Sequence, residues 1–368
     1  MSAEYVVELL NSDASFGPNV KQAELWDIRN LGWSRYDRVP GKAFFTINQN
    51  SGLLGFLVPL TTHVRIYRLT PSATTLVYSG VFVDYDTTGD DIVCTCFDYL
   101  ALLSISRSGY KTLYPKKKLG TEIVSPEWNA AKTATSSPLA FVTTGAIEDP
   151  LGTDAVTVIT TNLQFGTLDQ MRLQLFYDLS EMGRANTIYE VTFAISRDTP
   201  HTFTFQKNVG SSVGLGFVLN GNVSDYRYMP NWAKYRNDLA TIGTTSGGGA
   251  TEVLVKDDAA AAAKGRRQDV FTLKTLLGIV GLATEADQQA AASQRLLKKS
   301  LNLQPTLLLQ LERDSFDPYV GHDICDKPYV EVGNGIDSLT GQWRLSGYRG
   351  MFTETGEDLS VIVEPVAV

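Results

Sequence analysis

Short apolar runs with a period of two, broken at regular intervals by turn residues, restrict this chain more than anything else in its sequence. Val64 and Ile66 alternate with Arg65, Tyr67 and Arg68, while Val191, Phe193 and Ile195 alternate with Thr192, Ala194 and Ser196. Phe203 and Phe205 alternate in the same way with Thr202, Thr204 and Gln206. Successive side chains of a strand point to opposite faces, so the pattern suits a half-buried sheet and not a helix. In the first hundred residues such runs follow closely: Tyr5–Leu10, two strands around the Val39–Pro40–Gly41 turn, Val64–Leu69, Thr75–Asp86 and Asp91–Leu103. In the last of these Ile92, Cys94 and Cys96 and also Val93, Thr95 and Phe97 are largely apolar, which suits a strand buried on both faces. One antiparallel barrel or sandwich, closed by a short helix near Asp98–Ser104, is expected here.

From Tyr110 to Glu148 the composition turns to Lys, Ser, Thr, Pro and Ala, which predicts a linker or irregular insertion. The basic run Lys116–Lys118 falls there and reads as a solvated loop. Thr167–Arg184 carries Leu168, Met171, Leu175 and Leu179 at helical spacing, with Thr167 as N-cap and Gly183 near the end. TIYEVTFAISRD, HTFTFQKNVG and VGLGFVLNGNVSDYRYM then read as strands, the first two joined at Asp198–Thr199–Pro200. Past a glycine-rich loop at Ser246–Gly249, Asp257–Asp258 caps a helix through Ala259–Ala263 that Gly265 stops. Thr284–Ser300 has the strongest helix signature, with Glu285 and Asp287 early and Lys298 and Lys299 late, matching the helix dipole. From Pro305 onward TLLLQLERD, KPYVEVG, GQWRLSGYRGMFT and EDLSVIVEPV return to strands.

Composition narrows the class of protein. The 368 residues carry 40 acidic and 32 basic side chains, a net charge of −8, so the chain lacks the Lys/Arg surplus that phosphate binding needs. An apolar content of 43% supports a core and excludes disorder as the main state. No apolar run approaches the ~20 residues of a membrane span. The start, MSAEYVVELLNSD, has neither a basic stretch nor a long apolar core, so no signal peptide or membrane anchor is expected. Cys94 and Cys96 would share one face of a strand and Cys325 lies far off, which predicts three reduced thiols and synthesis in the cytoplasm.

The chemistry-bearing residues form no catalytic set. His63, His201 and His322 fall in no metalloprotease or nucleophile-partner pattern. His322–Asp323–Ile324–Cys325 is half a zinc site with no second pair in range, and reads as a loop. Gly214–Leu215–Gly216 lacks the third glycine of a dinucleotide fingerprint and reads as a glycine-rich strand. The carboxylates of Asp84–Asp91 miss the EF-hand spacing and read as a hairpin turn. An enzyme is not expected, nor is a cofactor or metal.

The order GKAFFTI, VRIYR (Val64–Arg68), the strand through Tyr78–Val83 and the Val93–Leu103 stretch resembles the N-terminal barrel of a phage family. The family is the baseplate hub, or minor tail, proteins of long-tailed, siphovirus-like phages. Asn231–Gly249 and Lys264–Gly265–Arg266–Arg267 look like its second barrel, and Thr284–Ser300 with the final β segment like its C-terminal part; Tyr110–Glu148 matches nothing in it. The resemblance implies a mainly β fold with α/β elements, in which two tube-like β-barrel domains are joined by helical and irregular segments. On that plan residues 1–109 form the first barrel domain and 110–150 the linker or insertion. Residues 151–250 form a second hub region of helix plus β meander, 251–300 a helical connector and 301–368 a C-terminal β segment.

The same resemblance implies a homotrimeric ring at the distal end of the virion's tail. Above it would sit the tail tube or distal tail protein, and below it a central spike, fibre or receptor-binding proteins, with DNA passing through during genome ejection. Mild acidity suits such a conduit, because basic contacts to phosphate would hold the DNA back. Trp26, Trp33 and Tyr36 are the candidate contact residues, unless they are core and rim residues of the first barrel. One rival reading is a carbohydrate-binding β module with Trp26 or Trp343 as sugar platform. The other is a tail-associated hydrolase, which the missing catalytic set disfavours.

Overall fold

The computed structural model describes residues 4–107, 113–150, 156–159, 171–186, 191–207, 210–229, 236–244, 250–273, 306–312, 317, 322–333 and 338–366. Seven strands open the chain: β1 (Glu4–Ser12), β2 (Pro18–Leu25), β3 (Leu31–Tyr36), β4 (Lys42–Asn48), β5 (His63–Leu69), β6 (Thr74–Thr88) and β7 (Asp91–Asp98). They lie side by side in the order β3-β4-β7-β6-β5-β1-β2, every pair antiparallel. Val39–Pro40–Gly41 lies between β3 and β4, and Gly89, at φ +63°, turns β6 into β7. On β7 the face of Ile92, Cys94 and Cys96 is buried, whereas Val93, Thr95 and Phe97 are only half-buried, so one face is dry and not both. Cys94 faces Phe45 and Tyr85 across the ladder, and burial pushes its thiol up to about 12. All three cysteines are free thiols.

A 3-10 turn, Tyr99–Ser104, leads into the middle of the chain, with β8 (Leu113–Lys117), α1 (Ser125–Thr133), β9 (Thr143–Ile147) and β10 (Val156–Ile159). After these come α2 (Arg172–Asn186), β11 (Val191–Ile195) and β12 (Thr202–Lys207). Where composition suggests a linker, the chain builds a second core. Leu119, Ile123, Val124, Trp128 and Ala131 are buried with Leu175, Phe176 and Leu179 of α2 and with Phe193, Phe203 and Phe205 of the three-stranded sheet β11-β12-β9. Trp128 stacks on Phe203 with ring centroids 4.2 Å apart. Pro126 stands at the start of α1, where no intrahelical donor is needed, so it does not interrupt the helix. Thr167, the expected cap of α2, lies outside the described residues. Gly183 sits near the end of α2 as expected, and a Cβ there would come within 2.7 Å of Val191.

The remaining strands are β13 (Ser212–Val218), β14 (Val223–Met229), β15 (Asp238–Thr244), β16 (Ala250–Lys256) and β17 (Gln268–Leu273), with α3 (Asp258–Lys264) between the last two. Then follow β18 (Thr306–Leu311), β19 (Lys327–Gly333), β20 (Ser338–Thr353) and β21 (Gly356–Pro365). Asp257 caps α3 by accepting the Ala260 amide at 2.8 Å, and Gly265, at φ +75°, ends it, as the sequence predicts. Gly214–Leu215–Gly216 lies in β13, a strand as expected. Ser246–Gly249 and Thr284–Ser300 lie outside the described residues.

β15, β16 and β17 make a separate small sheet, but the last strands return to the first. β20 pairs with β3, setting Gly350 opposite Trp33, and extends the order to β14-β18-β21-β20-β3. The chain is mainly β, and its two ends share one thirteen-stranded sheet and one core. β19 also pairs with β20 and carries β13, so among the described residues hydrogen bonding leaves this sheet open, with β2, β14 and β13 as its ends, and side chains bridge the interior. Arg68 of β5 donates through Nε and Nη2 to both carboxylate oxygens of Glu357 on β21, at 2.7 Å each, and the Tyr5 hydroxyl of β1 donates to the same group. Tyr5 also packs on Phe352 of β20, centroids 5.3 Å apart. Strands remote in the ladder therefore meet in space, and the sheet is rolled.

Candidate interaction site

The three aromatics singled out in the sequence do not share a surface. Trp26 follows β2 and is 59% exposed. It lines an open groove of about 330 Å³ with Val6, Glu8, Glu24, Tyr67, Leu69 and Thr74 on β1, β2, β5 and β6. Lys21 donates to both glutamates, and with the Trp26 indole it holds the Glu24 carboxyl below its ordinary range. Trp33 is 2% exposed, its Nε1 3.5 Å from the Tyr5 hydroxyl and its ring against Gly350, where a Cβ would come within 2.4 Å. It belongs to the core, the alternative weighed for it, because position 33 points into the rolled interior. Tyr36 is half-buried at the end of β3 and faces the other way, into an internal junction.

That junction is a cavity of about 220 Å³ where three parts of the chain meet: Arg35–Arg38 and Asp98 of the main sheet, β11 and β12, and the Asp323–Cys325 loop. Beside it Asp37 accepts from Arg344 Nη1 at 2.7 Å, from Arg38 Nε at 3.2 Å and from the Thr192 hydroxyl. Arg38 Nη1 in turn donates to Ser180 Oγ on α2 at 2.9 Å, and Arg344 pairs with Glu364. Buried charges persist only when paired and hydrogen-bonded, so this cluster fixes how the middle of the chain sits on the sheet. Asp98 accepts the Gly41 amide at 2.6 Å, yet burial raises its carboxyl to about 6. Nothing in the sequence marks these partners, since Asp37 and Arg344 stand 307 positions apart and 40 acids compete for each arginine.

The other chemistry-bearing stretches take structural places. Asp91 pairs with Arg29 at 3.1 Å and Asp90 accepts from Gln49 at 3.0 Å, both at the β6–β7 hairpin. His322 packs against the Tyr348 ring, and the Cys325 thiol lies 3.9 Å from Arg344 Nη1. Among the described residues no three His, Cys, Asp or Glu side chains gather as a metal site. Trp343 is buried, which leaves Trp26 as the sole exposed platform of the two weighed for sugar stacking.

The fold recurs in solved structures. The chain is similar to the 43 kDa tail protein of prophage MuSo2 from Shewanella oneidensis, with a TM-score of 0.63 at 13% identity over 97% of either chain. It is similar to a tail protein from Neisseria meningitidis MC58, with a TM-score of 0.62 at 11% identity over 98% of this chain and 96% of that one. Prophage tail protein gp18 from Listeria monocytogenes EGD-e aligns with a TM-score of 0.51 at 11% identity, covering 98% and 94%. The fold is thus one found in phage tail proteins. No protein-family model matches the sequence, and no curated protein does.

Proposed function

We propose that this chain is a structural component of a phage tail, a baseplate hub that closes into a homotrimeric ring at the tail's distal end. The observation that carries the reading is the likeness in fold to tail proteins along 97% of both chains. Two features support the finer role. Among the described residues β2, β14 and β13 end the main sheet with unpaired edges, and neighbouring copies in a ring can cover such edges. A net charge of −8 suits a passage that DNA must leave freely. In the ring three copies dock together on the tail tube or distal tail protein. The opposite side holds a central spike, fibre or receptor-binding proteins, and the Trp26 groove is the outward surface available for such contacts. The role is mechanical and not enzymatic.

Imaging of virions bearing a gold-labelled tag on this chain tests the proposal. Three labels per particle at the far end of the tail are expected. Label on the head, along the tube, or absent from the particle overturns it.

A further inference from the structure

Two of the three histidines are buried together where the middle of the chain docks on the main sheet, and neither proposed role nor core packing requires them. His63 of β5 is 1% exposed and His201, just before β12, 2%. Between them stands Tyr99 of the 3-10 turn, whose ring lies 4.6 Å from His201 and 5.6 Å from His63. Phe141 closes the stack, centroids 5.7 Å from each histidine. Tyr99 and Phe141 belong to or pack on the second core, whereas His63 is on the sheet.

The hydrogen bonds favour the neutral form of both rings, most directly at His201. His201 Nδ1 lies 2.9 Å from the Ser196 carbonyl, which only accepts, so Nδ1 carries the hydrogen. Its Nε2 is buried without a hydrogen-bond partner among the described residues, so a proton added there would make a charged donor that none of them accepts from. His63 Nδ1 lies 3.0 Å from the Tyr99 hydroxyl and Nε2 lies 3.2 Å from Ser12 Oγ, with the Phe16 carbonyl also in contact. As a neutral ring it accepts from Tyr99 and donates on the other side; a second proton would force the Tyr99 hydroxyl to turn from donor to acceptor.

The charges around the stack oppose protonation as well. Arg65 of β5 faces both rings and is tied to Thr199 Oγ1 at 2.7 Å. Of the two carboxylates nearby, Asp13 is engaged by the Ser15 and Gly17 amides. Asp198 pairs with Arg197 at 3.5 Å and is 66% exposed. A charge on His201 also opposes one on His63. Burial is the largest cause that lowers His63 to about 4, and it lowers His201 too.

We propose that the His63–Tyr99–His201 stack is an acid-sensitive latch, which holds β9, β11 and β12 against the main sheet when neutral and releases them when protonated. Such a latch lets acidification detach one core from the other while the sheet shared by the two chain ends stays folded.

Hydrogen exchange of the full chain, followed from about pH 7 to about pH 4.5 and corrected for intrinsic rates, tests this. Amides of β9, β11 and β12 are expected to exchange at least ~10-fold faster at the acid end, with β20 and β21 unchanged. In the double variant His63→Gln, His201→Gln the acid-dependent step should vanish. Simultaneous loss of protection in all strands, or full protection of β11 and β12 throughout, overturns the proposal. So does an unaltered step in the variant. Should that variant fail to fold, NMR titration of the wild-type imidazoles decides, since rings that charge at an ordinary pH without any change in exchange also overturn it.

Discussion

Arg68 is buried and holds both oxygens of Glu357, 289 positions away, with Asp317 as a further partner. Removing one member leaves the others charged in a dry interior, so Arg68→Ala should cost about 3–5 kcal/mol in a urea unfolding series. Arg68→Met with Glu357→Leu should recover most of that loss; a single variant that loses less than about 1 kcal/mol would show the network to be slack. The two tryptophans make a sharper contrast. Trp33→Ala should cost about 3–5 kcal/mol, whereas Trp26→Ala, at an exposed position, should stay within about 0.5 kcal/mol in the same measurement. The pH dependence follows from His63, lowered from 6.5 to about 4. Its native value lies below its unfolded one, so the unfolded chain binds more protons between those limits. Stability from this ring is full above 6.5, falls as the pH drops and is lost by about 4, at about 3 kcal/mol in all. Asp98, raised from 3.8 to about 6, runs the other way and loses its contribution as the pH rises through that range. The midpoint difference between wild type and His63→Gln, taken across the window, therefore isolates the histidine.

Among the elements, strands were the most legible, because an alternating run declares its own buried face. β5, β11 and β12 fall where Val64–Leu69, Val191–Ile195 and Thr202–Lys207 alternate, and α3 is bounded by the Asp257 cap and Gly265. The stretch read as a linker shows why composition misleads. Leu119, Ile123, Val124, Trp128 and Ala131 are spaced for a helical face, but Gly, Thr, Glu, Ser and Pro between them dilute the signal. Trp128→Ala should therefore behave as a core deletion. Limited proteolysis should cut within residues 113–150 far faster than in wild type, while β20 and β21 remain protected. Equal resistance would return that stretch to the role of a linker. The spacing that suggested a helix over Thr167–Arg184 matches α2 from Arg172 onward, while Met171 of the expected apolar stripe lies exposed ahead of it in a bridge to Arg107. At Gly183 only the approach of Val191 explains why the residue has no side chain.

At the scale of the whole molecule the decisive pairing is β3 with β20. A fragment of residues 1–109 would leave the β3 edge open and half of the shared core wet. It should be recovered insoluble or unfolded by circular dichroism, and co-expression with residues 301–368 should restore soluble material. A stable, monomeric 1–109 fragment would contradict this. The three candidate contact residues divide for the same reason: which face of β3 is interior depends on β20 and β1, so Trp33 is lost to the core and Trp26 remains outside. By itself the sequence determined the local matters: which runs are strands, where caps and turns fall, which class of chemistry is missing from its motifs. Each depends on residues a few positions apart. Tertiary structure alone decided that both ends of the chain share a sheet, that Asp37 meets Arg344, and that two distant histidines face one tyrosine. A period of two says that a face is buried but not against what, and a charged side chain does not name its partner across 300 positions.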